Sequence, residues 1–284
     1  MRTLVFAIIL ITSQLAATAQ TCDRSCLHNT VTNYLNAVIT HNPGSLPLAA
    51  NVRFTEDTVE HKLGEGLWST ATRMRSYRQE VLDVQLGVAG VYTVVEEQGM
   101  PALLLARLKV SNRKISEIET VVTRGQKEGL IFDVSTLQNP SPEMIRVLDD
   151  SQLESREEAI QIAEFYPAGL KVGSFVTAKT PFATNAYRFE NGRLMAGLAC
   201  TFAKGCNDIK GQRFPTLAEV KARVEAVDEE MGIVWLRMDF GAGSVPDPNQ
   251  SLIVWEMFKV YDGQIHAVEA FMKMMPRGTG FGWD

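Results

Sequence analysis

Apolar residues fall at helical spacing in three stretches of the chain. Leu27, Val31, Tyr34, Leu35, Val38 and Ile39 form one stripe, which Asn42-Pro43-Gly44 stops. Ala159, Ile162, Ala163, Tyr166 and Leu170 form a second, opened by a capping box of Ser155 and Glu158 and ended by Gly169 and Gly173. Thr216 and Glu219 cap a third, whose stripe is Leu217, Val220, Val224 and Val227. Each half therefore reads as a leading helix, a short polar segment carrying Arg53 or Arg188, and a further helix. The remainder is strand-like: Val91 to Val95, Val234 to Phe240 and two hairpins are rich in β-branched and aromatic residues. Asp262-Gly263 is a strong two-residue hairpin turn. Helices followed by antiparallel sheet predict the α+β class.

The two hairpins are copies. Ala102 to Glu119 and Leu252 to Glu269 align at an offset of 150 residues, with Lys109/Lys259, Val110/Val260, Ile115/Ile265 and Glu119/Glu269 coinciding. Upstream, Leu46-Pro47-Leu48-Ala49 and Arg53-Phe54 echo Thr180-Pro181-Phe182-Ala183 and Arg188-Phe189. Two similar domains are expected, over 20–139 and 155–284, joined by a linker over 140–154 that opens at Pro140-Ser141-Pro142. The longer second copy places its extra residues in loops around Cys200 to Gly211 and Gly241 to Ser251.

Composition changes the picture at the ends. Residues 1–19 read as a secretory signal peptide, with Arg2, an apolar run from Leu4 to Ile11 and a small-residue cleavage site at Ala17-Thr18-Ala19. That run is too short to span a bilayer. An exported protein is expected, periplasmic or extracellular, with no membrane partner. Net charge is −5, and −6 once Arg2 is removed, without a basic cluster, which argues against nucleic acid. Four cysteines in an exported chain favour disulfides, and spacing favours Cys22–Cys26 and Cys200–Cys206. His28, His41, His61 and His266 are the only histidines, and no metal-ligand spacing occurs. No phosphate-binding or dinucleotide glycine pattern is present, so neither a metal nor a cofactor is expected.

Each half resembles a nuclear transport factor 2-like cone, in which helices pack in the hollow of a curved antiparallel sheet. Thr21-Cys22-Asp23-Arg24-Ser25-Cys26-Leu27, Leu46 to Glu56, Leu63 to Trp68, Arg188-Phe189-Glu190-Asn191-Gly192 and Phe281-Gly282-Trp283 carry a resemblance to exported bacterial and fungal tandem-cone proteins of no settled function. The resemblance implies two tandem cone-shaped α+β barrels of the SnoaL and ketosteroid-isomerase type, packed as an internal pseudo-dimer. Such cones host isomerases, hydratases, lyases and plain binding modules.

Candidate chemistry concentrates on the last hairpin. A two-residue turn at Asp262-Gly263 sets Glu256 opposite Glu269 and puts both on one face with Val254, Phe258, Val260, Ile265, Ala267 and Phe271. Two close carboxylates do not both ionise cheaply, so one becomes a general acid or base. The resemblance places Glu256 where ketosteroid isomerases carry an oxyanion-hole acid, with Ala106 at that place in the first copy. The same comparison aligns His266 and Val268 with pocket-facing positions, one residue out of step with the turn, which a β-bulge would reconcile. The bland alternative for Glu256 and Glu269 is a wet sheet edge or arginine pairs across the domain interface.

Arg53 with Glu56, and Arg188 with Glu190, are candidates for binding an anion at a pocket mouth or for salt bridges that order a hairpin. Trp68 and Tyr77 line a first-copy cavity or belong to its core. Phe281-Gly282-Trp283 is expected to dock the C-terminus over a neighbouring surface. The expected function is cofactor-free acid/base chemistry of isomerase, dehydratase/hydratase or lyase type on a small apolar or phenolic molecule, with Glu256, His266 and Glu269 catalytic. The alternative is a non-catalytic tandem ligand-binding or assembly module.

Overall fold

The computed structural model describes residues 21–283. The segment read as a signal peptide lies outside the described residues. The first half runs α1 Arg24–Ile39, β1 Leu48–Glu56, β2 Val59–Glu60, α2 Leu67–Thr70, β3 Ala71–Asp83, β4 Val88–Glu97, β5 Met100–Ser111, β6 Lys114–Thr123 and α3 Gln126–Gly129. The second runs α4 Arg156–Val172, α5 Phe175–Ala178, β7 Phe182–Glu190, β8 Arg193–Ala196, β9 Lys221–Asp228, β10 Ile233–Asp239, β11 Gln250–Tyr261 and β12 Gln264–Pro276. Each half holds a six-stranded sheet of identical connectivity, β2-β1-β6-β5-β4-β3 and β8-β7-β12-β11-β10-β9. Neighbours are antiparallel except β1 with β6 and β7 with β12, which run parallel. The class is α+β, two tandem cones.

The leading helices form where their stripes place them. Asp23 caps α1 by accepting from the Cys26 backbone N–H. Ser155 and Glu158 make the expected capping box on α4, and Gly173 ends it at a φ of 68°. Leu27, Val31, Tyr34 and Val38 bury in the hollow of the first sheet, and Ala163, Tyr166 and Leu170 in that of the second. Cys22 lies before α1 and is bonded to Cys26, and Cys200 is bonded to Cys206 in a loop. Both disulfides fit an oxidising compartment. No described helix is long and apolar enough to cross a membrane.

Three readings need correction. The stretch expected as a third helix is loop and strand, because Val224 and Val227 of β9 pair with Leu236 and Val234 of β10. Long-range pairing overrides the local amphipathic pattern. Its first-half counterpart shrinks to the single turn of α2.

The second correction concerns the β11–β12 hairpin. Val260 pairs with Ile265 as the turn dictates, but Lys259 pairs with Ala267, so His266 is the extra residue of a bulge. Beyond it Met257 faces Glu269 and Glu256 faces Ala270. The bulge flips the second strand, so Glu256 and Glu269 lie on opposite sides of the sheet. Third, Thr55 pairs with Glu119 and Phe189 with Glu269, so Phe54 rather than Arg53 occupies the place of Arg188.

The two sheets meet through their outer faces. Tyr92, Leu103 and Leu105 of the first half pack with Trp235, Trp255 and Phe271 of the second in one buried cluster. Gly90 allows the approach, since a Cβ there would lie 2.4 Å from the Trp235 ring. Polar contacts across the interface obey a pseudo-twofold. Asp83, the last residue of β3, accepts from the Val227 N–H at 2.8 Å and pairs with Arg156 at 2.5 Å. Asp228, the last residue of β9, accepts from the Leu82 N–H at 3.0 Å and pairs with Arg24 at 2.5 Å. Arg24 and Arg156 each open the leading helix of their half.

Candidate functional site

The hollow of the second cone holds a cavity of about 250 Å³ between α4, the β7 and β11 strands and the loops 214–217 and 241–249. Its walls are apolar, among them Leu170, Phe214, Leu217, Val254 and Met272. Its polar side chains are Tyr166, Arg188, Glu190, Glu256 and Ser244, the last bonded to its own loop through the Gly241 carbonyl.

The first four are placed by the periods of their elements. Tyr166 belongs to the inward stripe of α4, Glu256 alternates inward with Val254 and Phe258 on β11, and Arg188 and Glu190 lie two residues apart on β7 and so share a face. The Arg188 Nε lies 2.6 Å from the Glu190 Oε1, and its Nη1 donates to the Tyr166 hydroxyl at 3.2 Å. Tyr166 in turn donates to the Glu256 Oε1 at 3.2 Å. The Glu256 Oε2 is buried without a protein partner.

Glu256 is 1 % exposed, and burial pushes its carboxyl up to about 8, against the attraction of Arg188 and with the repulsion of Glu190. Burial likewise raises the Tyr166 phenol well above its ordinary value. The arrangement therefore sets a buried carboxyl raised to about 8, with one oxygen unpartnered, and an arginine-paired Glu190 in the lining of one largely apolar cavity. Carboxyl groups in two such different settings are the kind of pair that acid/base chemistry uses. Among the described residues no three His, Cys, Asp or Glu side chains converge as metal ligands.

The other candidates go elsewhere. Glu269 faces the interface between the halves, where the Tyr77 hydroxyl donates to it at 2.9 Å. Tyr77 thus points out of the first cone. His266 stacks on the Tyr261 ring with centroids 3.5 Å apart and meets the Tyr261 carbonyl at 3.2 Å, outside the cavity lining; burial lowers its pKa. Trp68 fills the first cone with Tyr34 and Phe54, stacked edge to face at 5.5 and 6.4 Å.

Arg53 and Glu56 do not pair. Arg53 turns outward to Glu60 at 3.2 Å, across the β1–β2 hairpin, and Glu56 turns inward to accept the Leu67 N–H at 2.9 Å. The C-terminus docks as expected: Trp283 donates to the Thr55 hydroxyl at 2.9 Å and lies 4.2 Å from the Arg53 guanidinium. The residue that sequence reasoning leaves out is Tyr166, read only as part of a stripe. A buried tyrosine hydroxyl needs a partner, and that need was its one signal.

A domain of unknown function, DUF8021, matches residues 152–272. No curated protein matches the chain. Among solved structures, the chain is similar to a de novo designed protein with a curved β-sheet, at 19 % identity over 37 % of this chain and 91 % of that one, with a TM-score of 0.31. It is also similar to a nuclear transport factor 2-like protein of unknown function from Shewanella baltica OS155, at 17 % identity over 42 % of this chain and 93 % of that one, with a TM-score of 0.29.

Proposed function

We propose that the chain is an exported, cofactor-free acid/base enzyme whose second cone acts on a small apolar or phenolic molecule by isomerisation, dehydration/hydration or a lyase reaction. The observation that carries this reading is the buried Glu256 in the cavity lining, whose carboxyl burial pushes up to about 8 and whose Oε2 has no protein partner. The two disulfides support an oxidising, extracytoplasmic setting.

In an isomerisation of an unsaturated ketone, the carbonyl oxygen would take the hydrogen bond of the Glu256 Oε2–H. A proton would leave the neighbouring carbon for Glu190, and the negative charge would develop on the oxygen facing Glu256. Glu190 would then return the proton to a different carbon, so no oxidant or carrier is consumed. Arg188 orients both ends, holding Glu190 directly and Glu256 through the Tyr166 hydroxyl. The first cone, filled by its aromatic side chains, serves as the support on which the second is built.

The test is a panel of small β,γ-unsaturated ketones and β-hydroxyketones, read by the absorbance of the conjugated product. Glu256→Gln should lower turnover by roughly 10²–10⁴-fold, while calorimetry shows that a phenol still binds. Turnover that survives in E256Q overturns the assignment. Phenol binding to a wild-type protein that turns over nothing on the panel leaves the alternative, a non-catalytic tandem ligand-binding or assembly module.

A further inference from the structure

A cavity of about 540 Å³ lies outside both cones, in a groove between the halves walled by the linker. The pseudo-twofold gives this groove a counterpart. Strand pairing places Glu119 at the position of Glu269 and sets Arg53 and Thr55 at those of Tyr187 and Phe189. It also sets Arg237 at that of Tyr92.

In the counterpart groove the carboxylate has its cation. The Arg237 Nη1 donates to Glu119 at 2.6 Å, and both side chains are buried. The C-terminal tail closes over them, with Phe281 5.3 Å from the Arg237 guanidinium and Trp283 4.2 Å from that of Arg53. A carboxylate, guanidinium groups and aromatic faces thus fill the first groove from within the chain.

The second groove has the carboxylate and the rings but a different set of neighbours. Glu269 is 5 % exposed, and Tyr92 stands where Arg237 would supply the charge. The protein groups that meet Glu269 are the Tyr77 hydroxyl and Ser141. Tyr77, Tyr187, Phe189 and Phe271 surround it and line the cavity, whose rim is carried by Leu198. Aromatic rings beside a buried carboxylate attract a cation, through the ring quadrupoles and through the charge itself. The volume suits a small molecule.

We propose that this groove is a second ligand site, built for a small organic ammonium ion on an apolar or aromatic body. The ammonium group pairs with Glu269 from the cavity side, and the body takes the place that the Phe281 ring has in the first groove. Burial raises the Glu269 carboxyl above its ordinary value, so uptake of the cation is coupled to loss of a proton and strengthens as pH rises.

The experiment is calorimetric titration of the full chain at pH 7.5 with phenethylammonium and with the neutral 2-phenylethanol. The cation should bind at least 10-fold more tightly, and Glu269→Gln should abolish that preference with the far-ultraviolet dichroism unchanged. Should E269Q fail to fold, Tyr187→Leu carries the test by lowering affinity for the cation more than for the alcohol. Glu256→Gln should keep the preference; if it removes it instead, the cation has entered the second cone and the proposal fails. Equal binding of both compounds, binding of neither, or a preference that survives E269Q or Tyr187→Leu also overturns it.

Discussion

Glu256 and Glu269 lie on one hairpin and both are buried, yet the sheet between them assigns each a different environment. Glu256 meets a tyrosine, an arginine and an apolar hollow, and its carboxyl rises to about 8. A carboxyl raised in the folded state contributes stability that is complete below the unfolded value of 4.5 and is lost as pH rises through about 8. Thermal unfolding followed from pH 4.5 to 9 should therefore show a Tm that falls with pH, and Glu256→Gln should reduce that fall. Catalysis that needs the protonated acid should decline over the same upper range, so kcat/KM is expected to drop above about pH 8. A rate that climbs through pH 8 instead would remove Glu256 from the role of acid.

At the scale of elements, the hairpins show what a local pattern determines. Asp262 and Gly263 have φ values of 49° and 70°, the left-handed pair that a two-residue turn requires, and the Asp-Gly dipeptide announces it. The first copy makes the same turn with Asn112 and Arg113, at 51° and 59°. A left-handed arginine is strained by about 1–2 kcal/mol, and part of that gain is offset by the extra freedom of glycine in the unfolded chain. Arg113→Gly should stabilise the protein by about 0.5–1 kcal/mol, measured by chemical denaturation; a loss of stability would contradict the strain. The bulge three residues beyond each turn, at His266 and at Ser116, has no such mark. His266 looks like any strand residue, so a register read outward from the turn held through Val260 and Ile265 and failed one step later. The β9 strand escaped for a related reason: its partner β10 is separate in the chain, whereas the apolar spacing of Leu217, Val220, Val224 and Val227 suits a helix just as well. The capping box of α4, by contrast, is a contact within a few residues, and it was legible.

The whole molecule is tied together by contacts between residues remote in sequence. Duplication was visible from the aligned hairpins, but nothing in the spacing of Asp83, Asp228, Arg24 and Arg156 announces that each aspartate binds the other half's strand. Asp83→Ala would leave the Val227 N–H without its acceptor and a largely buried Arg156 with only the exposed Glu229. A loss of about 3–5 kcal/mol is expected, as for other broken buried pairs, and calorimetric unfolding should show both halves weakened together rather than one melting first. Two separate transitions in this variant would mean that the interface does not couple the cones.

The reciprocal interface has a further consequence because both of its partners belong to one polypeptide. In a dimer of identical chains every substitution is imposed twice, so the two symmetry-related grooves must stay alike. Here a mutation at one groove leaves its twin untouched, and the tether keeps the partners at an effective concentration of about millimolar whatever the protein's dilution. That independence is what permits Arg237 and Trp283 to stopper one groove while Tyr92 and Tyr187 leave the other accessible. The tandem arrangement thus lets two equivalent grooves diverge, one filled by the chain's own tail and the other left as a cavity.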